Sequence, residues 1–270
     1  MSRKPLVYGL LTLVSLLMLA PLLMTAFTSL KPAEELVSPP WVPPLAPTFE
    51  HFVTTWIDAN FNTYFLNSVI ISTVDALVMI VIASAAAYAL TFLKFPGKPV
   101  IYALLLAGLM IPPTAIILPL YVTEQRLGLL NTHLGVILAD LALAVPIFIF
   151  LMSAYFRRIP KELRDAARVD GASEIQVYWR VILPISTPAI ITTGLLEFLW
   201  SWNDLLLRLL FLTQDNLRTL TVGMLFFQGT QTRDISGLTS AAMIMAIPII
   251  IIFIIFQRHF VQGMTQGAVK

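Results

Sequence analysis

The residues between Glu197 and Arg208 have types and a spacing suited to recognition of a sugar. Glu197, Trp200, Asp204 and Arg208 recur every three or four positions, so they would share one face of a continuous helix. An indole ring stacks on the apolar face of a sugar, and polar groups such as Asn203 bond to its hydroxyls. The alternative is an aromatic belt at the outer membrane interface that contains one structural acid. We take as candidates for a substrate path Glu197, Trp200, Asn203 and Asp204.

A second set of residues, around Asp165, suits contact with a protein partner. Ala166 and Ala167 are small enough to let another surface approach closely. Arg164, Asp165 and Arg168 offer ion pairs at the edge of such a contact. The alternative is a solvated amphipathic linker without a partner.

This charged region is predicted to form two short helices joined by a turn. Pro160 suits the first turn of a helix, where its missing amide hydrogen costs nothing. Asp170 and Gly171 then end that helix, with the glycine in the left-handed conformation. Ser173 followed by Gln176 forms a capping-box pattern for the second helix.

The sequence contains no arrangement that predicts catalysis, a nucleotide site or a metal site. It lacks Gly-x-x-x-x-Gly-Lys-Ser/Thr, so it has no phosphate-binding loop for ATP. The three histidines, His51, His133 and His259, fall in three separate segments without metal-ligand spacing. There is no cysteine. We therefore expect no bound cofactor or metal, and we expect any ATP hydrolysis to belong to another protein.

The composition places these residues in a membrane protein. Of the 270 residues, 58% are hydrophobic and 12% are charged, and the mean hydropathy is +0.85. Soluble domains carry roughly 25% charged residues, so this chain could not maintain a soluble surface. The pattern predicts an all-α polytopic protein, because strand spans would give short alternating segments instead.

Six apolar segments are long enough to cross a membrane as helices, which takes about 20 residues. The predicted spans are Leu6–Leu30, Phe65–Leu93, Val100–Tyr121, Leu134–Phe156, Pro188–Leu210 and Thr239–Phe256. We divide the chain into residues 1–64, with the first span and an external proline-rich loop, and a core of residues 65–270. The charged hairpin of that core lies at about residues 157–188.

The distribution of lysine and arginine predicts the orientation. Twelve of the 17 basic residues fall on the side of both termini and the hairpin, and the other five are Lys31, Arg126, Arg208, Arg218 and Arg233. Positive residues concentrate on the cytoplasmic side, so the termini and the hairpin are predicted to be cytoplasmic. Because the basic residues follow the topology, we expect no nucleic-acid partner.

Prolines and acids inside the spans are candidates for a pathway. Pro112-Pro113 in the third span indicates either a hinge that lines a path or an ordinary proline kink, and Pro146 in the fourth favours the kink. Asp75, Asp140 and Glu197 cost about 2.5–3.5 kcal/mol each near the centre of a membrane. We therefore expect all three acids to face the helix bundle or a cavity.

The string Asp165-Ala166-Ala167-x-x-x-Gly171, followed by Val181-x-Leu183-Pro184, resembles the EAA loop of ABC importer permeases. Asp165 replaces the usual glutamate and Val181 the usual isoleucine. Aspartate keeps the charge but is one methylene shorter, which changes the geometry of any ion pair that it forms. Four further stretches are similar to carbohydrate importer permeases, in particular to the second, maltose-permease G-type subunit. They lie at Glu162–Ser173, Trp202–Asp204, Leu217–Gly223 and Gln257–Lys270.

This resemblance implies a type I ABC importer permease fold in which the hairpin is a coupling helix. The residues expected to contact the ATPase are Asp165, Ala166, Ala167, Asp170 and Gly171. ATP and magnesium would bind to that ATPase and not to this chain. The partners implied are a second permease subunit, an ATPase dimer, an extracytoplasmic substrate-binding protein, a sugar and the membrane lipid.

Two further sets of residues take expected roles from the resemblance alone. The external segment would meet the binding protein through Phe226, Phe227 and Gln228. The tail would approach the ATPase dimer through Gln266, Gly267 and Lys270. In this family the partner permease often makes most of the sugar contacts.

Other functions stay open at this point. The same machinery could import a polyol or a glycerol phosphate ester, for which Arg208 is the one candidate basic residue along the path. A stand-alone ion-coupled carrier would work without ATP, and a membrane-embedded enzyme would need a convergent acid–base or metal set. A structural scaffold would leave the capped hairpin unexplained.

Overall fold

The structure is a computed structural model that describes residues 4–228 and 234–268, with the backbone alone at residues 5, 6, 226, 228 and 258–268. Every regular element in these ranges is helical, as the composition predicts. The chain divides into two compact units, one of residues 1–66 with 219–250 and one of residues 67–218 with 251–270. The domain division near residue 64 stays a prediction.

The first and third helices follow the predicted apolar pattern, and the second lies in the segment predicted to be a loop. They are α1 (Lys4–Ser29), the short α2 (Glu50–Ile57) and α3 (Phe61–Phe92). Helices α1 and α3 are each long and apolar enough to cross a membrane. In the loop after α1, the buried Nζ of Lys31 donates a hydrogen bond to the Ser38 hydroxyl at 2.7 Å, which orders the proline-rich segment.

The predicted third span is a pair of helices instead of one continuous helix. Helices α4 (Lys98–Met110) and α5 (Pro113–Leu127) meet at an angle of 103°. Pro112 is extended, with φ −63° and ψ 131°, and Ile111 before it is also extended, with φ −86° and ψ 119°. A residue that precedes proline disfavours helical geometry, so the double proline breaks the span where a single proline would only kink it.

The fourth predicted span is one unbroken helix, α6 (His133–Phe156), with Pro146 inside it. The helix continues through Pro146, and the kink interpretation of this residue stays a prediction. The Thr132 side chain accepts a hydrogen bond from the Gly135 amide and so caps the start of α6. This helix provides one wall of the site described below.

The charged hairpin has the two helices and the turn that its sequence predicts. Gly171 has φ +86° in the turn, and the Ser173–Gln176 capping box is formed. The second helix contains a π-helical segment that the sequence pattern did not predict. The elements are α7 (Lys161–Val169), α8 (Glu174–Val177), the π segment Tyr178–Ile182 and α9 (Leu183–Ile185).

The predicted fifth span ends earlier than Leu210, which corrects the predicted helix face. Helix α10 (Thr187–Asn203) stops before Asp204, which is extended with φ −67° and ψ 128°. A separate helix, α11 (Leu206–Phe211), then begins. The Asp204 carboxylate accepts hydrogen bonds from the amides of Leu207 (3.1 Å) and Arg208 (3.4 Å), which favours a new helix start. The prediction that residues 197, 200, 204 and 208 share one continuous helix face is therefore wrong.

The remaining described helices are α12 (Leu220–Gly223) and α13 (Ile235–Ala268), separated by the 3₁₀ turn Met224–Gln228. Residues Ile235–Gln257 of α13 are apolar enough to span a membrane. At Gly223 a Cβ would lie 2.5 Å from the Tyr64 ring, so this close packing requires glycine. The described chain thus has four long spans. It has up to six if two bent pairs each count as one span, namely α4 with α5 and residues Glu174–Ile185 with α10, which meet at 81°.

Candidate functional site

A buried arginine joins three acids in the second unit. The Arg208 guanidinium lies 2.5 Å from Asp140 Oδ2, 3.5 Å from Asp204 Oδ2 and 3.7 Å from Asp75 Oδ2. Arg208 also donates to the Ser201 hydroxyl at 2.7 Å, and Ser201 donates to Asp75 at 2.6 Å. These contacts connect α3, α6, α10 and α11 inside the membrane-spanning region.

The Arg208 side chain is 1% exposed and the Asp75 side chain is fully buried. A buried ion is tolerated when partners replace its lost hydration, and the removal of one partner leaves the other charge uncompensated. We call Arg208, Asp75, Asp140 and Asp204 the buried charge cluster. The cluster contains three carboxyl groups and one guanidinium.

A cleft of about 390 Å³ lies beside the buried charge cluster, at the break between α4 and α5. Ile111 and Pro113 at the break form one side of it, and residues of α6 and α10 form the other. Pro113 of the double proline therefore lines a cavity, and the choice between a pathway hinge and a kink stays a prediction. The polar residues and the tryptophan that line the cleft are Thr114, Asp140, Glu197, Trp200, Ser201 and Asp204.

Three of the four candidate substrate-path residues lie at this cleft. Glu197 is 1% exposed, and its Oε2 has no hydrogen-bond partner among the described residues. Trp200 is 56% exposed, and the edge of its ring packs on Phe148. Asn203 is not among the residues that line the cleft, because its amide nitrogen donates to the Leu199 carbonyl oxygen at 2.7 Å.

Sequence reasoning identified Asp75 and Asp140 as inward-facing acids, and their burial confirms this. It did not identify the pairing of both acids with Arg208. The sequence did contain a signal for this pairing. An arginine and two aspartates all lie in apolar segments, where opposite charges pair with one another.

The coupling candidates on the hairpin lie mostly at the surface. Asp165, Ala166, Asp170 and Gly171 are exposed, and Ala167 is partly buried against the core. Asp165 forms an ion pair with Arg164 at 3.2 Å, with the Asp165 side chain 65% exposed.

Glu174 connects the hairpin to α3. Its Oε1 accepts a hydrogen bond from Arg164 Nη2 at 2.5 Å, and its Oε2 accepts one from the Tyr88 hydroxyl at 2.6 Å. A second link is the 2.7 Å hydrogen bond between Tyr178 and Ser84. Burial alone would raise the pKa of Glu174, but the hydrogen bonds from Arg164 and Tyr88 outweigh it and lower that pKa below its ordinary value.

The other predicted site residues are only partly within the described structure. The Phe227 ring packs edge-on against Phe61, with centroids 5.4 Å apart. The side chains of Phe226, Gln228 and Gln266 lie outside the described residues, as does the whole of Lys270, and Gly267 is described by its backbone. Within the described ranges, no group of three or more His, Cys, Asp or Glu residues could hold a metal ion.

The family described as "Binding-protein-dependent transport system inner membrane component" matches residues 79–266. The chain belongs to this family. It is therefore a permease subunit of an ABC importer and a multi-pass inner-membrane protein. The resemblance to carbohydrate ABC importer permeases, which was based on the EAA-type loop and four further stretches, is confirmed.

Two curated relatives match nearly all of the permease. The "Diacetylchitobiose uptake system permease protein NgcG" of Streptomyces coelicolor is 35% identical over 266 residues, which cover 97% of this chain and 88% of that one. The "Trehalose transport system permease protein SugB" of Mycobacterium tuberculosis is 35% identical and covers 96% of this chain and 95% of that one.

Solved structures show the same fold. A chain of a bacterial ABC transporter involved in the import of the acidic polysaccharide alginate superposes with a TM-score of 0.82, at 23% identity. That match covers 96% of this chain and 99% of the other. The fold class predicted from the sequence, an all-α ABC importer permease, is therefore confirmed.

Proposed function

We propose that this permease imports a sugar or an oligosaccharide, together with a second permease subunit, an ATPase dimer and an extracytoplasmic binding protein. Relatives named for diacetylchitobiose and trehalose, each about one-third identical over nearly the whole chain, support the sugar class. The observation that carries the ATP-driven mechanism is the hairpin. Its residues Asp165, Ala166 and Gly171 are exposed, and its Glu174 is hydrogen-bonded to Tyr88 of the membrane helix α3.

The hairpin has the surface of a docking element. Exposed apolar side chains on a polar loop favour contact with another protein. Four large apolar side chains of the hairpin are at least 45% exposed, namely Leu163, Val169, Ile175 and Trp179. In the proposed complex these side chains and Asp165–Ala167 contact the ATPase.

The hairpin can transmit motion to the membrane helices because its Glu174 is hydrogen-bonded to α3. Arg164 and Tyr88 hold the Glu174 carboxylate from two elements, α7 and α3. A displacement of α7 by the ATPase therefore pulls on α3. Such a displacement changes access to the path only when the ATPase contacts differ between the two states of the cycle.

The path proposed for the substrate runs along the cleft between the broken α4–α5 pair and α10. Helices broken at membrane depth lie against protein or a water-filled path, because lipid cannot satisfy their freed backbone groups. Glu197 and Trp200 supply a hydrogen-bonding group and a stacking surface on this path. Both termini and the hairpin are assigned to the cytoplasmic side from the distribution of basic residues.

The central experiment is ATP-dependent uptake of trehalose and of diacetylchitobiose by proteoliposomes that contain the whole complex. Gly171→Pro is compared with Gly97→Pro. Both glycines have a left-handed φ, +86° and +83°, and neither has a neighbour within 4 Å of an added Cβ. Proline cannot adopt positive φ, so both substitutions strain a turn, but only one strains the hairpin.

We expect Gly171→Pro to abolish uptake while Gly97→Pro retains most of it. Loss of ATPase binding in the Gly171 variant would show that the hairpin is a binding site for the ATPase. Loss of uptake with retained binding would show that the hairpin transmits the motion of the ATPase. Equal uptake in the two variants would contradict the coupling role. Uptake of both sugars without ATP would support an ion-coupled carrier instead.

A further inference from the structure

We propose that the cleft selects for sugars without a negative charge. This inference rests on the proposed function and names the class of substrate. It concerns the residues that line the cleft, because the fold itself does not decide the charge of the substrate. The structurally similar alginate transporter is involved in the import of an acidic polysaccharide.

The first argument is the charge of the cleft wall. Three carboxyl groups, those of Asp140, Glu197 and Asp204, line it. In the described part of the chain, no lysine, arginine or histidine lines it. Whichever of these carboxyl groups is ionised, no basic side chain among the described lining residues offsets its charge. A low-dielectric wall focuses that field into the opening, so an anion is repelled there.

The second argument is that Arg208 is not accessible to an anionic substrate. It is 1% exposed and lies within 4 Å of carboxylate oxygens from α3 and α6 and from Asp204. With Glu197, which lines the same cleft, the cluster and the cleft contain four carboxyl groups and this one guanidinium. A single ionised carboxylate cancels its charge, and each further one makes the site negative.

The third argument is the unsatisfied oxygen of Glu197. This side chain is 1% exposed, lines the cleft and has no hydrogen-bond partner at Oε2 among the described residues. A buried polar atom without a partner costs about 1–3 kcal/mol, which a ligand that donates a hydrogen bond recovers. A sugar hydroxyl donates such a bond, whereas an ionised phosphate, sulfonate or carboxylate offers only acceptors.

The test measures the charge of the cleft directly. The chain contains no cysteine, so Thr114→Cys places one reactive thiol of this chain on the exposed lining of the cleft. Two methanethiosulfonates of similar size, one with a trimethylammonium group and one with a sulfonate, are reacted with the reconstituted complex whose partner subunits lack cysteine. The ratio of the two rates is divided by the ratio for free 2-mercaptoethanol.

We expect this normalised ratio to favour the cationic reagent by about tenfold, the effect of one nearby charge in a partly dry site. The added change Glu197→Gln, which keeps the size and removes the charge, is expected to reduce the preference severalfold. Val37→Cys is the control, because Val37 is 94% exposed on a loop where solvent screens charges. Its ratio should remain close to that of the free thiol.

A normalised ratio at or below one, or a ratio that Glu197→Gln does not change, would overturn the proposal. Failure of both reagents at position 114 in every nucleotide state would also overturn it, since the cleft would then not be part of an aqueous path. Trehalose and trehalose 6-phosphate uptake are measured in the same liposomes. Trehalose uptake with equal uptake of the phosphate ester would leave the proposed function standing and remove only the selectivity.

Discussion

Two charged networks in this chain use similar residues in different surroundings. On the hairpin, Glu174 is held by Arg164 and Tyr88 with its side chain 31% exposed. Between the membrane helices, Arg208 is held by three aspartates with its side chain 1% exposed. Water can solvate the hairpin carboxylate when a partner is lost, but it cannot reach the buried guanidinium.

The difference indicates two distinct roles. In the proposed mechanism the hairpin network links elements that move together, and its partly exposed bonds can be lost and reformed at modest cost in free energy. The buried charge cluster fixes the wall of the cleft, and the loss of one member leaves charge in a dry site. Substitutions should therefore affect transmission at the hairpin and assembly at the cluster.

The largest expected effect follows from Arg208→Met. The buried Asp75 and Asp140 then lose their ion pairs with this arginine, and the loss of one partner of a buried pair costs about 3–5 kcal/mol. We expect a large fall in the thermal stability of the purified complex and in the amount of complex that assembles in the membrane. Thermal unfolding followed by size-exclusion chromatography measures both.

The control for this prediction is Arg126→Met, which removes an exposed arginine at the end of α5. The double change Arg208→Met with Asp140→Asn should recover part of the stability, because it also removes a carboxylate that lies 2.5 Å from the guanidinium. Equal stability of the Arg208 and Arg126 variants would mean that the cluster has no structural role.

A smaller effect is expected for Glu174→Gln. The substitution weakens charge-assisted hydrogen bonds, a change of about 1.5 kcal/mol for a partly exposed group. We expect the complex to assemble and to hydrolyse ATP, with severalfold less sugar transported per ATP. The ratio of uptake to phosphate release in proteoliposomes measures this coupling.

The matched control is Glu162→Gln, which removes an exposed carboxylate in the first turn of the neighbouring helix α7. Its uptake per ATP should equal that of the wild type. If both glutamine variants had the same coupling ratio, the bond between the hairpin and α3 would not transmit motion.

The smallest expected effect is a change with pH in the stabilisation that the Glu174 hydrogen bonds provide. The pKa of Glu174 is lowered in the folded protein, so its contribution to stability is complete above the ordinary value of 4.5. The contribution is lost as the pH falls through the lowered pKa. The difference in melting temperature between wild type and Glu174→Gln should be constant from pH 7 to 5 and decrease below pH about 4.5. A difference that grows as the pH falls would contradict the assigned direction of the pKa.

Much of the local structure followed from the sequence because local chemistry determines it. The left-handed Gly171 and the capping box at Ser173 each depend on a few neighbouring residues. The inward position of Asp75 and Asp140 also followed, because acids are costly in lipid.

The arrangement of the candidate site could not be predicted in the same way. Helical periodicity was extended through Asp204, whose carboxylate instead binds the amides of Leu207 and Arg208 and starts a new helix. Arg208 meets Asp75 and Asp140 from distant segments, and a hydrophobicity pattern does not contain that pairing. The binding-protein contacts, the ATPase-facing tail and the orientation stay predictions.

The break between α4 and α5 has one more consequence. Pro112 and Pro113 are adjacent residues without an amide hydrogen, so the joint has two fewer donors to satisfy than an ordinary broken helix. The amides of Ile111 and Ala115 are bonded within their own segments, to the carbonyl oxygens of Gly108 and Pro112. Two of the four residues from Ile111 to Thr114 therefore have no amide donor to expose to lipid when the 103° angle changes. The wall of the cleft is built on a joint in which half of the residues have no amide hydrogen bond to lose.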